Sequence, residues 1–267
     1  MDPTDRTVVL TGATDGIGRA TAVRLAGRVG HLVLHGLEPR AEVEGFLSGL
    51  GGRVTYLPAD FGHLDQIAAL GAAIGETADR VDLLVNNAGR PGARRRTVTD
   101  DGIEATLQTN YLSTVVLSTV LRDRVGRILN IASATHLSER LDLADLGLAV
   151  GGYSGVTAYA RSKLAIVTYT CWLATRLDGT AAEAVSMHPG VIHSRLLSGM
   201  FSIQGDPPEV GARNILHVAG LPGPLNGRYF DESEPARPNP AATDPTIQHD
   251  LLDRTAALLT PITIDPR

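Results

Sequence analysis

Short apolar runs rich in β-branched residues alternate with longer segments of helical periodicity along this 267-residue chain. Runs of this kind are typical of strands buried on both faces, which form a parallel sheet covered by helices. The expected strands span residues 7–10, 31–35, 53–57, 81–85, 127–132, 183–187 and 228–230. The expected helices span residues 19–29, 39–50, 63–78, 100–121, 156–177, 208–219 and 247–259. The pattern predicts an α/β fold.

Proline interrupts this rhythm in residues 231–250, at Pro235, Pro238, Pro240 and Pro245. We expect an ordered surface loop or a mobile tail there. Elsewhere the basic cluster Arg94-Arg95-Arg96 follows the fourth strand, either as a solvated turn or as a site for an acidic group.

Composition narrows the possible functions. The net charge of −5 and the pI near 5.9 give no basis for attraction to nucleic acid or to an anionic membrane. The single cysteine, Cys171, fits a reducing compartment and lies in an apolar helical segment, where we expect a packed core thiol. The chain has neither a basic leader nor a long apolar run. We therefore expect a soluble cytoplasmic protein without nucleic-acid or membrane partners.

A glycine-rich turn follows the first strand directly, in Thr11-Gly12-Ala13-Thr14-Asp15-Gly16-Ile17-Gly18. Strand, glycine turn and helix in this order form the phosphate-binding turn of a dinucleotide site. Gly12 allows the tight turn, Gly16 lets the backbone approach a pyrophosphate, and Gly18 lets the helix pack closely. The helix N-terminus then offers N–H groups to the phosphates. We therefore predict a single doubly wound Rossmann-type domain of about seven parallel strands over residues 1–267; a glycine turn that binds nothing is the alternative.

Tyr159 and Lys163 are four residues apart in an expected helix, so their side chains project from one face. A lysine cation beside a phenol favours the phenolate and lowers a pKa that is ordinarily ~10. The pair then becomes a proton donor or acceptor near neutral pH. The spacing alone describes an exposed helix face equally well, so its interpretation depends on the other motifs.

Several separated motifs resemble the short-chain dehydrogenase/reductase family over most of the chain. They are Thr11-Gly12-x-x-x-Gly16-Ile17-Gly18 as the cofactor loop, Asp60 as the acid on the adenine amino group, Asn86-Asn87-Ala88-Gly89 beside the adenosine, and His188-Pro189-Gly190 facing the nicotinamide. Asn110, Ser133, Tyr159 and Lys163 fall where the family places its catalytic tetrad. Thr109-Asn110-Tyr111-Leu112-Ser113, Asn130-Ile131-Ala132-Ser133 and Gly227-Arg228-Tyr229-Phe230 look like the retinol-dehydrogenase-like branch. Membrane-bound members of that branch carry a hydrophobic N-terminal anchor, which this sequence lacks.

The resemblance implies a role for each member of the tetrad. Tyr159 would exchange a proton with the substrate oxygen, and Ser133 would donate a hydrogen bond to it. Lys163 would hold the ribose hydroxyls and lower the pKa of Tyr159. Asn110 would fix a water that links Lys163 to solvent. Taken singly, Ser133 is equally a backbone cap and Asn110 a polar residue inside a helix.

The resemblance also implies the cofactor contacts. They are Thr11, Gly12, Asp15, Gly16, Ile17, Gly18, Leu37, Asp60, Phe61, Asn87, Ala88, Gly89, Tyr159, Lys163, Pro189, Gly190 and Ile192. Leu37 stands where the branch usually has an arginine for the 2′-phosphate, and no acid stands at the strand end, although Glu38 is close. Arg19 or Arg40 could take the phosphate. We expect NADP(H) to be preferred over NAD(H) because the branch uses it.

Residues 191–208 would form a mobile lid over the nicotinamide, and their apolar side chains favour a largely hydrophobic ketone or alcohol. Those side chains are Leu196, Leu197, Met200, Phe201 and Ile203. The predicted function is an NAD(P)(H)-dependent carbonyl reductase or alcohol dehydrogenase. A tailoring epimerase, dehydratase or cyclase on the same fold is the alternative, followed by a cofactor-binding protein without turnover.

The family implies a homodimer or homotetramer formed through the long fourth and fifth helices. His136, His188 and His193 do not have metal-ligand spacing, so no metal is expected.

Overall fold

The computed structural model describes residues 5–194, 199–200, 203–262 and 266. Its strands are β1 Thr7–Leu10, β2 His31–Gly36, β3 Val54–Pro58, β4 Val81–Asn86, β5 Val125–Ile131, β6 Glu183–His188, β7 Tyr229–Asp231 and β8 Glu234–Ala236. Its helices are α1 Gly16–Leu25, α2 Arg40–Leu47, α3 Leu64–Thr77, α4 Ala105–Leu107, α5 Ser113–Val120, α6 Gly155–Leu177, α7 Pro208–Gly220 and α8 Pro245–Leu259. A π-helical turn, Gln108–Leu112, joins α4 to α5, and 3-10 turns occur at Arg122–Arg124, Ala134–Ser138, Pro240–Thr243 and Thr260–Ile262.

The strands form one sheet in the order β3-β2-β1-β4-β5-β6-β7-β8. All neighbouring pairs are parallel except β7 and β8. Strand order reverses between β1 and β4, which opens a crevice at their carboxyl ends. This topology confirms the predicted doubly wound Rossmann-type fold.

Helices cover both faces of the sheet. Successive residues of each strand point to opposite sides, so each strand contributes to two apolar layers. Val9, Val33 and Leu84 pack in one buried cluster with side chains of α3, α5 and α6. Leu10 and Val85 pack in a second cluster with side chains of α1 and α7. The carboxyl ends of the strands therefore lie between two apolar layers.

Several predicted boundaries were wrong. Helix α1 begins at Gly16, where the Asp15 side chain accepts from the Gly16 N–H, and it ends at Leu25 rather than at residue 29. The fourth helix begins at Ala105, because residues 100–104 form a turn before it. The expected loop of residues 231–250 contains strand β8, a 3-10 turn and the start of α8. The eighth strand is short and contains a proline, which hides it from a periodicity argument.

Helix α8 covers the helices through which we expected the protein to associate. Leu251 and Leu252 of α8 lie in the same buried cluster as Trp172 of α6. The Tyr111 hydroxyl, in the π-helical turn, hydrogen-bonds the Thr255 hydroxyl at 2.7 Å. Helix α8 therefore packs against α6 and against the π-helical turn.

Candidate active site

The glycine turn after β1 has the backbone conformation that the motif predicts. Gly12 and Gly16 have positive φ angles of 64° and 51°, which L side chains rarely adopt. A Cβ on Gly12 would lie 2.7 Å from Ala88 Cα, and a Cβ on Gly18 would overlap the Gly12 carbonyl. Gly18 therefore allows close packing of α1 against the turn itself. A Cβ on Gly16 would meet no protein atom within 4 Å, so the space above it is open.

Asn87 ties this turn to the end of β4. Its side-chain amide donates to the carbonyls of Thr11 and Gly12, at 2.9 and 3.1 Å. The Thr11 hydroxyl in turn accepts from the backbone N–H groups of Asn87 and Ala88, both at 3.0 Å. These bonds hold the two strand ends together at the point where strand order reverses.

A groove of about 650 Å³ runs along these strand ends. Its lining includes the predicted residues Gly12, Asp15, Gly16, Ile17, Gly18, Leu37, Asp60, Phe61, Asn87, Ala88 and Gly89. Thr11 is buried directly beneath it. The open space above Gly16, at the N-terminus of α1, is where a pyrophosphate fits. The groove therefore fits a dinucleotide.

His35 is a groove residue that the sequence argument missed. Its ring stacks on Phe61, with centroids 4.2 Å apart and planes at 5°. Its Nδ1 accepts from the Gly12 N–H at 3.3 Å, so the proton is on Nε2, which donates to the Ala59 carbonyl at 3.0 Å. Burial lowers the pKa of His35 to about 4, so the ring is neutral in this role. A polar residue at the carboxyl end of an apolar strand was the available signal.

The adenosine end of the groove is acidic. The Glu38 carboxylate accepts from the Thr14 hydroxyl at 2.8 Å, and Leu37 is 62% exposed beside it. The two arginines expected to take a 2′-phosphate have other contacts: Arg40 pairs with Glu44 at 3.1 Å, and the Arg19 guanidinium lies 4.5 Å from the centre of the Phe46 ring. Asp60 lies in the groove, where its Oδ1 accepts from the Gly62 N–H at 2.7 Å.

At the other end the groove meets a cavity of about 230 Å³. Ser133, Tyr159 and Lys163 line it together with the predicted cofactor contacts Gly89, Pro189, Gly190 and Ile192. Ser133 follows β5, and Tyr159 and Lys163 come from α6. Most of the remaining lining is apolar, including Ile17, Ile131 and Val191. The fold thus brings three of the tetrad residues to one small, largely apolar space.

Burial controls the protonation of the central pair. It raises the pKa of Tyr159 to about 12, and a hydrogen bond with Ser133 opposes this rise only in part. Burial lowers the pKa of Lys163 to about 7. The ammonium is 5.6 Å from the centre of the Tyr159 ring and donates to the Ile131 carbonyl at 2.8 Å. The prediction that Lys163 lowers the pKa of Tyr159 was wrong for the protein alone, because desolvation disfavours both charged forms.

Lys163 is the only lysine in the sequence; every other basic side chain apart from histidine is arginine. Arginine cannot lose its proton in a protein, whereas the pKa of a buried lysine shifts readily. A chain that otherwise uses arginine keeps a titratable ammonium at this position. This count was a signal in the sequence for the importance of Lys163.

Asn110 lies in the π-helical turn, behind the cavity. Its side-chain oxygen accepts from the Arg90 N–H at 2.8 Å, and its amide donates to the Arg90 carbonyl and the Ser162 hydroxyl at 3.1 and 3.0 Å. A Cβ on Gly89 would lie 3.3 Å from the Asn110 oxygen and 3.6 Å from Lys163 Nζ. Asn110 therefore holds the segment after β4 beside Lys163; the proposed water relay stays a prediction.

The residues of the predicted lid and of the arginine cluster do not form one group. Met200 accepts through sulfur from the Gly92 N–H at 3.4 Å, and Ile203 lines the cavity with 56% of its surface exposed. Leu196, Leu197 and Phe201 of the predicted lid lie outside the described residues. Arg94 and Arg95 are exposed, whereas Arg96 donates to the Gly147 carbonyl at 2.8 Å.

The three histidines near the site do not assemble into a metal centre. His136 and His188 are buried, whereas His193 is exposed and lies within the predicted lid segment. Within the described ranges, no group of three or more His, Cys, Asp or Glu side chains is placed to hold a metal ion. Cys171 is buried, and burial raises the pKa of its thiol to about 11, as suits a packed core residue. None of the described helices is long and apolar enough to cross a membrane.

Comparison with solved structures supports the fold. An uncharacterized protein from Mycobacterium paratuberculosis superposes with a TM-score of 0.82 and 28% identity, over 96% of this chain and 93% of its own. Pseudomonas aeruginosa RhlG, solved as a complex with NADP, superposes with a TM-score of 0.68 and 23% identity, over 86% of this chain and 97% of its own. At that identity the second likeness is one of fold alone.

Comparison with known sequences identifies the family. Residues 6–203 match the short chain dehydrogenase family. Human retinol dehydrogenase 13 is 31% identical over 281 residues, covering 95% of this chain and 84% of its own. A Streptomyces sp. (strain C5) protein provisionally named as a daunorubicin C-13 ketoreductase is 36% identical over 199 residues, covering 73% of this chain and 68% of its own. The chain therefore belongs to the short-chain dehydrogenase/reductase family and is an oxidoreductase similar to the retinol dehydrogenases.

Proposed function

We propose that the protein moves a hydride between a nicotinamide dinucleotide and a ketone or secondary alcohol, with Tyr159 as the general acid and base. One observation carries the proposal. Tyr159 and Ser133 face a small, largely apolar cavity that also contains Lys163 and opens onto the dinucleotide groove. A hydride acceptor and a proton donor can therefore meet at one carbonyl group.

Each residue has a defined task in this proposal. The cofactor, when bound, supplies or accepts the hydride. Tyr159 gives its proton to the carbonyl oxygen in reduction, and the raised pKa keeps it protonated at neutral pH. Ser133 donates a hydrogen bond to the same oxygen as negative charge develops there. Lys163 holds the ribose hydroxyls, and Asn110 supports the segment that carries Gly89.

The cavity favours an apolar substrate. Its lining is largely apolar, and its polar side chains are Asn87, Ser133, Thr135, Tyr159, Lys163, His188 and Ser194. Such a lining stabilises a hydrophobic body and orients it by one oxygen. Two relatives are named as a retinol dehydrogenase and a daunorubicin C-13 ketoreductase, so alcohol oxidation and ketone reduction both occur among the names of similar proteins.

A cofactor oxidation assay tests the proposal. The purified protein is mixed with NADH or NADPH and a panel of apolar ketones, and absorbance of the reduced nicotinamide is followed. We expect stoichiometric oxidation of cofactor with formation of the alcohol. Cofactor that binds but is never consumed would instead support an epimerase, dehydratase or cyclase, or a binding protein.

For the cofactor, we now infer a preference for NAD(H), the reverse of the sequence-based expectation. Glu38 places a carboxylate at the adenosine end of the groove, where it would accept from the ribose 2′-OH and repel a 2′-phosphate. The described residues that line this end include no Lys or Arg. Arg90, which also lines the groove, is tied to Asn110 near the catalytic end. Two of the similar solved structures contain NADP, so the experiment compares NADPH with NADH.

We expect NADH to bind at least about tenfold more tightly than NADPH, and Glu38→Gln to abolish most of this difference. Unit charges about 4 Å apart interact by ~4 kcal/mol at an effective dielectric of about 20, and ~1.4 kcal/mol is tenfold in affinity. Fluorescence titration measures both dissociation constants. Glu42→Gln, an exposed acid on α2, is the control and should change neither. Tighter NADPH binding by the wild type would overturn the inference.

For the oligomeric state, we infer that the protein does not associate through α5 and α6 and is a monomer in solution. Helix α8 packs on α6 and on the π-helical turn, with the Tyr111–Thr255 hydrogen bond inside the contact. Separating α8 from α6 would expose the apolar side chains of Leu251, Leu252 and Leu259 to water, which is unfavourable. Sedimentation equilibrium should give a mass of 28.1 kDa across a wide concentration range. A dimer mass would contradict this inference.

A further inference from the structure

The hydroxyl of Ser133 receives two hydrogen bonds from a single neighbour. Ser133 is the residue before the 3-10 turn Ala134–Ser138. Its Oγ accepts from the Thr135 N–H at 3.3 Å and from the Thr135 hydroxyl at 3.1 Å. Thr135 itself lines the cavity that contains Tyr159.

Counting donors and acceptors then gives the direction of the Ser133 proton. A serine hydroxyl has two acceptor lone pairs and one O–H donor. Thr135 occupies both lone pairs, so Ser133 can take part in further hydrogen bonds only as a donor. Tyr159 lines the same cavity as Ser133 and Thr135, and the interaction of Ser133 with the phenol favours the phenolate. A donor aimed at the phenol oxygen has this effect on the tyrosine.

The backbone around Ser133 is held independently of Thr135. His136 Nδ1 donates to the Ser133 carbonyl at 2.7 Å, and His136 Nε2 accepts from the Asn239 N–H at 3.3 Å. The Asn239 amide also donates to the carbonyls of His136 and Glu139, both at 2.9 Å. Removing the Thr135 hydroxyl therefore leaves Ser133 in place and changes only where its proton points.

We propose that Thr135 is a positioning residue, which directs the Ser133 proton toward the Tyr159 and substrate oxygens. The proposal rests on the carbonyl–alcohol function inferred above. Without the Thr135 hydroxyl, one lone pair of Ser133 is free, and the Ser133 O–H no longer has a unique direction. The hydrogen bond that stabilises developing negative charge on the reacting oxygen is then made only part of the time.

Three variants test the proposal. Thr135→Val removes the hydroxyl at nearly constant volume, Thr135→Ser keeps it, and Ser138→Ala removes an exposed hydroxyl from the same turn. We expect Thr135→Val to lower kcat about tenfold, the effect of one lost hydrogen bond, with little change in KM. The pKa in the pH profile of alcohol oxidation should rise, because the phenolate of Tyr159 loses support. Thr135→Ser should restore both, and Ser138→Ala should resemble the wild type.

The outcomes are distinguishable. Wild-type kcat and pH profile in Thr135→Val would overturn the role of Thr135, as would equal losses in Thr135→Val and Thr135→Ser. A change in KM alone would overturn it too, since Thr135 would then merely contact substrate. Failure of the wild type to turn over any ketone while binding cofactor would instead overturn the proposed function on which the inference rests.

Discussion

Replacing Tyr159 with phenylalanine should lower turnover by a factor of about 10² or more, while the affinity for the cofactor changes little. The substitution removes only the hydroxyl that exchanges a proton with the substrate oxygen. The ring stays buried in the wall of the cavity, so packing is conserved. Steady-state kinetics and cofactor titration on the same preparation measure the two quantities.

The pH dependence of the wild type follows from the same hydroxyl. With its pKa raised to about 12, Tyr159 carries its proton at neutral pH and is rarely available as a base. The protonation of Tyr159 should therefore not limit reduction near neutrality. Alcohol oxidation requires the phenolate and should accelerate about tenfold per pH unit below that pKa.

A second tyrosine provides the matched control. Tyr153 lies in the loop before α6 and donates to Glu104 at 3.1 Å, outside the cavity that contains Tyr159. Tyr153→Phe should keep turnover within about twofold of the wild type, since this half-buried hydroxyl contacts Glu104 and not the cavity. Near wild-type turnover in Tyr159→Phe would refute the role given to Tyr159.

Replacing Lys163 with methionine should lower both turnover and cofactor affinity, the former by about 10² or more. The substitution conserves the apolar stem and removes the ammonium that would hold the ribose. Tyr159→Phe is the comparison, because it should lose rate without losing affinity. Unchanged cofactor affinity in Lys163→Met would show that Lys163 does not hold the ribose hydroxyls.

The same substitution should change how stability depends on pH. The folded pKa of Lys163 is lowered to about 7 from 10.5, so between these values the unfolded chain binds more protons than the folded chain. The free energy of unfolding of the wild type should therefore rise with pH over this window. Relative to the wild type, Lys163→Met should be most favoured below pH 7 and lose this advantage toward pH 10.5. Chemical denaturation at several pH values measures the difference.

Direct titration of Lys163 is possible because it is the only lysine. Carbon-13 labelling of lysine should give one side-chain signal in the folded protein. We expect that signal to titrate near pH 7 in the protein without cofactor, since burial disfavours the ammonium. A midpoint near 10.5 would show that Lys163 is more hydrated than its 3% exposure implies.

Local order in the chain was enough to predict most of the fold. Apolar runs such as Thr7–Leu10 and Glu183–His188 form strands because they are buried on both sheet faces, whichever helices cover them. The glycine turn was equally predictable, because positive φ angles at Gly12 and Gly16 require that residue type. The helix period likewise placed Tyr159 and Lys163 on one face.

Residues far apart in sequence were harder to assign. Strand β8 is stabilised by its pairing with β7, so its own sequence carries a weak signal. His35 is a groove residue only because β2 ends beside Gly12 and Phe61. The role proposed for Thr135 depends on its hydrogen bond to the Ser133 hydroxyl, which the sequence alone does not show.

The sequence by itself therefore determined the α/β class, the glycine turn and the placement of Tyr159 and Lys163 on one helix face. Backbone propensity, periodicity and residue type act over a few positions, and they carry this information without knowledge of the partners. Only the tertiary structure decided the protonation of Tyr159 and Lys163, the acidic adenosine end at Glu38 and the covering of α6 by α8. Desolvation and charge placement depend on groups that distant segments bring together, which is why local pattern could not supply them.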